Sequence, residues 1–179
     1  MRPLRADEIE VRIGTVGAKG VTLLLYKDAR VDRAILDEVY GEMNWQDTYK
    51  EVKGNLFCAI GVWDEKKAQW VWKEDCGTES FSEKEKGEAS DAFKRAGFRW
   101  GIGIELYTSP FIFLPVATEN RGNGFKLVNP NELRGMYVSY IDTQELNGKK
   151  TIMAVDISQG KTVIWSTDRR KVGLTNERS

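Results

Sequence analysis

From Asn44 to Gly77 the chain is written in strand-sized pieces. WQDTYKEVK alternates weakly, and NLFCAIGVW and AQWVWKEDCG are rich in aromatic and β-branched residues, with the polar stretch Asp64-Glu65-Lys66-Lys67 between the last two. Side chains of this kind suit a pleated, half-buried surface. They predict an antiparallel meander with strands near 45–53, 55–63 and 68–76. The period then changes. In SEKEKGEASDAFKRAGFRWGIG, Ser82 and Glu85 have the S-x-x-E spacing of a capping box. Ala89, Ala92, Phe93, Ala96 and Trp100 recur at i, i+3, i+4, i+7 and i+11, one face of a helix. An amphipathic helix that ends near Gly101–Gly103 is expected to pack on the meander.

Before the meander, GVTLLLY (Gly20–Tyr26) reads as a strand, and residues 4–13 as a short helix or an irregular arm. Asp28 is placed to cap a helix in which Val31, Ala34, Ile35 and Val39 form the apolar face, and Gly41 is its stop. After the second helix, SPFIFLP is a short extended segment and TENRGNGFKLVNPN a loop rich in Asn and Gly. MYVSYIDTQEL, KKTIMAVDIS and KTVIWST are strands joined at Asn147-Gly148 and Gln159-Gly160; Asn-Gly is the strongest short hairpin signal. The expected class is α+β with mainly antiparallel pairing. It comprises a β-β-β-α core over 28–107 and C-terminal β-hairpins over 111–166, in a single domain spanning 1–166, with a flexible tail over 167–179.

The totals narrow the function. A chain of 179 residues supplies one domain with a real core. No apolar run approaches the roughly 18–20 residues of a membrane span, and MRPLRADEIE lacks the apolar region of a secretory signal, so a cytoplasmic protein is expected. Cys58 and Cys76 make neither a disulfide framework nor a metal site by spacing. The chain has no histidine, which removes Ser-His-Asp and Cys-His nucleophile schemes and every His-containing metal site. The 27 basic and 27 acidic residues cancel, which speaks against nucleic-acid binding through an overall field but leaves room for a local basic stripe.

Two glycine clusters invite a phosphate-loop reading and fail it. GTVGAKG (Gly14–Gly20) lacks the GK[ST] ending and is expected to be a plain loop. GIGIEL at Gly101 follows a helix, where a dinucleotide fingerprint must follow a strand. No cofactor is indicated. Asp37, Glu51 and Lys53 form a loose Asp…Glu-x-Lys set of the kind that metal-dependent nucleases use, and surface strand charges are the plainer account of them. On the second helix Arg95 and Arg99 are i, i+4 on one flank, with Lys84, Glu88 and Asp91 near it, and Lys94 lies on the other side next to Phe98. This is either a solvated, ion-paired helix face or a phosphate-binding one, for which the arginine fork is well shaped.

A resemblance bears on that choice. The order Tyr40-Gly41, Trp45, a β-meander, Glu74-Asp75-Cys76-Gly77, then Ser90-Asp91-Ala92-Phe93-Lys94-Arg95-Ala96 with Trp100-Gly101 resembles the core of the single-strand annealing proteins of the Rad-fifty-two type. It is most similar to the small versions carried by bacteriophages and prophages (Sak-like). The resemblance covers roughly Asp28 to Tyr107, under half of the chain. It implies ATP-independent binding of single-stranded DNA and annealing of complementary strands in recombination and repair, by a homo-oligomeric ring or helical arc that is not an enzyme. DNA would run in a groove between the helix and the meander. Lys94 and Arg95 match the family's inner DNA-binding pair, and Arg99 stands one place after Phe98, where the family has a further basic residue. Arg30, or Arg33, matches a basic residue before the first long helix, and Lys53 and Lys86 fall near secondary backbone contacts. The tail is a candidate contact for a single-strand-binding protein, and the C-terminal hairpins for a neighbouring subunit.

Overall fold

The computed structural model describes residues 1–78 and 84–175, apart from the side chains of residues 84–86. The expected capping box of Ser82 and Glu85 therefore lies outside the described residues. In chain order the strands are β1 (Glu10–Gly17), β2 (Gly20–Tyr26), β3 (Trp45–Val52), β4 (Asn55–Asp64), β5 (Gln69–Cys76), β6 (Ile112–Leu114), β7 (Thr118–Asn120), β8 (Phe125–Leu127), β9 (Met136–Leu146), β10 (Lys149–Gln159) and β11 (Thr162–Ser166). The helices are α1 (Ala29–Tyr40) and α2 (Lys84–Arg99). The class is α+β, and every strand pairing is antiparallel. Among the described residues no helix is long and apolar enough to cross a membrane. The chain divides into two compact units, Met1–Pro3 with Lys27–Ile104, and Leu4–Tyr26 with Glu105–Ser179.

The first unit holds α1, the meander and α2. The Asp28 carboxylate caps α1 by accepting from the Arg30 amide at 2.7 Å, and Gly41, at φ 83°, ends it. The buried stripe of α1 is Asp32, Ile35 and Leu36. This corrects the expected face: Ile35 belongs to it, but Ala34 and Val39 are exposed, and the stripe instead takes in a charged residue, Asp32. The sheet order is β3-β4-β5, with Trp45 opposite Val62 and Trp63 opposite Trp70. α2 lies on one face of it and buries Ala92, Phe93 and Ala96, the spacing read from the sequence. A buried Phe or Ile contributes about 1.5–3 kcal/mol. Phe93 meets Trp45 at 6.2 Å between ring centroids, and the Trp100 indole N–H donates to the Ile60 carbonyl at 3.1 Å. α2 stops in a Schellman arrangement: Gly101 has φ 81°, its amide donates to the Phe98 carbonyl, and the Ile102 amide donates to the Gly97 carbonyl. The GIG triplet is thus a helix terminus, as expected.

The second unit is built of sheets β1-β2-β6 and β9-β10-β11 and the hairpin β7-β8. Asn147 and Gly148 both have positive φ, 53° and 73°, as a two-residue hairpin turn requires. Four expectations change here. Residues 4–13 give a short 3-10 turn at Ala6–Glu8 and then enter β1. Most of the presumed Gly14–Gly20 loop is the β1–β2 hairpin; a Cβ at Gly14 would stand 2.9 Å from the Leu24 side chain, so this glycine makes room for a cross-strand neighbour. Residues 118–131, expected as a loop, contain β7 and β8, closed by a bond from the Arg121 amide to the Gly124 carbonyl; strands of three residues are too short to show a period in the sequence. Residues 167–175, expected as a flexible tail, carry a short 3-10 turn (Arg169–Lys171) and a bridge from Thr175 to Thr162. Lys171 reaches the buried Asp156 carboxylate at 2.9 Å, and the Ser166 hydroxyl donates to the same group.

Candidate nucleic-acid interface

The solvent side of α2 begins with the close seating of its inner side. Gly77, just after β5, faces the α2 backbone; a Cβ there would stand 2.5 Å from the Glu88 carbonyl oxygen. The Glu88 carboxylate accepts from the Leu56 amide at 2.9 Å and so ties α2 to the start of β4. On the outer flank, Asp91 accepts from the Thr78 amide (3.0 Å), the Thr78 hydroxyl (2.9 Å) and Arg95 Nε (2.8 Å), all through Oδ2. Partial burial works to raise the Asp91 carboxyl, but the bonds from Arg95 and Thr78 outweigh it and hold the group below its ordinary value.

One turn further on, Arg99 Nε meets Asp75 Oδ2 of β5 at 2.9 Å, with the Arg99 side chain 62% exposed. The Lys73 ammonium donates to the Arg99 carbonyl at 3.0 Å and lies 4.3 Å over the Trp100 ring. Lys94 is on the side of α2 towards α1. Its ammonium makes no ion pair among the described residues, and its charge helps to hold Asp28 down, after the larger effect of Arg30.

The remaining expected residues are dispersed. Arg30 sits at the start of α1, paired with its own cap Asp28 at 3.1 Å and 90% exposed. Arg33, the other candidate for that role, lies 4.2 Å over the Phe93 ring and 3.3 Å from Asp47, so it is a packing residue. Lys53 occupies the β3–β4 turn at φ 54°, exposed and without an ion pair among the described residues. The Lys86 side chain lies outside the described residues. The flank is therefore mixed in charge, with Arg95 and Arg99 each set against a carboxylate.

The structure does not bring the nuclease set together. Asp37 accepts from the Trp45 indole N–H at 2.7 Å. Glu51 lies six residues further along β3, about 20 Å at roughly 3.3 Å per residue. Among the described residues no three acidic or cysteine side chains are grouped to hold a metal ion. Both cysteines are free thiols, and burial pushes Cys58 up to about 11, away from reactivity.

One buried ion pair beside α2 was not read from the sequence. Lys27 and Asp32 form an ion pair that is buried on both sides, 1% and 0% exposed. Lys27 also donates to the Lys94 carbonyl at 3.3 Å and lies 4.1 Å over the Phe98 ring. Asp32 sits at i, i+3, i+4 with the core residues Ile35 and Leu36, and a charged residue at core spacing was the available signal. No family model, curated protein or solved structure matches the chain.

Proposed function

We propose that this protein binds single-stranded DNA along α2 and anneals complementary strands without a nucleotide cofactor. The observation that supports it best is the pair Lys94 and Arg99. Among the described residues the Lys94 ammonium makes no ion pair, and the Arg99 guanidinium is engaged by Asp75 through Nε, which leaves both terminal amino groups for a phosphate. The order of motifs in the sequence, which resembles that of annealing proteins, supports the same reading. Strands held by their phosphates have less mutual repulsion, and pairing of the bases then supplies the driving force. Repetition of the site in a ring or arc of subunits would extend the track.

The test is annealing of two labelled complementary oligonucleotides without ATP, with wild type beside Lys94→Ala, Arg95→Ala and Arg99→Ala. Acceleration by wild type that the variants lose supports the reading. A folded wild-type protein that neither binds nor accelerates refutes it.

A further inference from the structure

The sheet face away from α2 carries a row of indoles. Trp63 and Trp70 are directly opposed across β4 and β5, with ring centroids 5.6 Å apart at 68°. Trp72 continues the row, 6.2 Å from Trp70. Its register partner is Gly61, and a Cβ there would stand 2.8 Å from the six-membered ring of Trp72. The indole thus lies flat across the β4 backbone because residue 61 has no side chain. Its outer face is open to solvent: Trp72 is 43% and Trp63 37% exposed.

By the alternation of strand side chains, the charged residues on this face are Lys50 and Glu74, which neutralise each other at 2.6 Å. Beyond the two ends of β4 stand Lys53 and Lys66, both exposed and neither in an ion pair among the described residues. The ten residues of β4 set these ends about 30 Å apart. An aromatic strip whose own two charges cancel, with an exposed lysine at each end, complements a ligand with planar bases and a charged backbone. A second copy laid face to face on the strip would bring cation to cation at both ends.

We propose that Trp63, Trp70 and Trp72 form a base-stacking platform for single-stranded nucleic acid, with Lys53 and Lys66 taking phosphates at its ends. This rests on the reading of the protein as a single-strand binder and adds a contact on the opposite face of the sheet from α2. Stacking is indifferent to sequence, because every base has a π face. Bases held this way are kept from pairing within their own strand.

The experiment measures binding of the wild-type protein to a dT oligomer of about 15 nucleotides and to an abasic oligomer of equal length, which offers the same phosphates. The abasic oligomer is expected to bind roughly 5- to 100-fold more weakly, and only the dT oligomer should quench tryptophan fluorescence. Trp72→Ala should close most of that gap. Gly61→Ala, which lifts the ring off the strand, should do the same, with circular dichroism as the check on folding. Equal wild-type affinity for the two oligomers overturns the platform and leaves binding by α2 intact. A Trp72→Ala protein that keeps the full preference for dT overturns it too, as does one whose oligomeric state falls in light scattering while that preference is unchanged. Failure of wild type to bind either oligomer overturns both readings.

Discussion

Lys27 and Asp32 meet inside the first unit with the Lys27 ammonium 2.6 Å and 2.5 Å from the two carboxylate oxygens, directly beside Gly97. Both side chains are out of water, so the pair is held by geometry: two bonds to the carboxylate, one to the Lys94 carbonyl and the face of Phe98. It joins the first turn of α1 to the middle of α2.

Breaking the pair from one side should be costly. Lys27→Met leaves an uncompensated buried carboxylate and is expected to cost about 3–5 kcal/mol. The double variant Lys27→Met with Asp32→Leu should recover most of that loss, since a buried ion pair is often matched by apolar residues of similar size. Chemical denaturation of the three proteins checks both statements. Equal destabilisation in the single and double variants would refute the account.

The pair also sets a pH dependence. Burial, opposed by the Lys27 ammonium, lifts Asp32 from its ordinary 3.8 to about 6. Between those values the folded protein holds a proton that the unfolded chain has released. Stability from this group is therefore fully present below about pH 4 and falls as pH rises towards about 6. The slope is at most about 1.4 kcal/mol per pH unit, and above that window the contribution is flat. Denaturation midpoints of wild type and Asp32→Asn from pH 4 to 7 should diverge in that window, and parallel curves would refute the assignment.

Two glycines hold α2 in place by what they lack. At Gly97 a Cβ would stand 2.7 Å from Asp32 Oδ2, and at Gly77 2.5 Å from the Glu88 carbonyl oxygen. Ala at either position should destabilise by about 1–3 kcal/mol. Gly77→Ala is expected to be the worse, because its obstacle is backbone. Thermal unfolding measures both, and a Gly77→Ala protein as stable as wild type would contradict the close seating of α2.

On the outer flank, Asp75 and Arg99 make opposite predictions for DNA binding. Arg99→Ala should lower the slope of log affinity against log salt by about 1. Asp75→Asn removes the carboxylate that competes with phosphate, and should raise affinity at low salt. Fluorescence anisotropy with a dT oligomer, across about 50–200 mM salt, separates the two. Affinity unchanged in both variants would move the interface away from α2.

Much of this was legible in the residues. The meander, both helices, the Gly41 and Gly101 stops and the Asn147-Gly148 turn all follow from local rules, and the structure has them. What escaped was set by partners distant in sequence. Asp32 looks like a surface charge until Lys27 and Gly97 enclose it. Gly14 looks like a loop residue until Leu24 lies across it. The basic residues of α2 were visible, and so was Asp91 beside Arg95, but the carboxylate opposite Arg99, Asp75, comes from another element. The row of tryptophans was plain in the sequence as strand material; only the register that sets Trp72 over Gly61 makes it an open platform.

Asp91 carries a consequence for signalling between ligand and fold. One of its oxygens, Oδ2, serves three donors at once, two from Thr78 and one from Arg95. A phosphate that draws the Arg95 guanidinium away would return that oxygen's electron density to Thr78 and tighten the exit from β5. Occupancy of α2 and the grip on the strand's end would then be traded at a single atom.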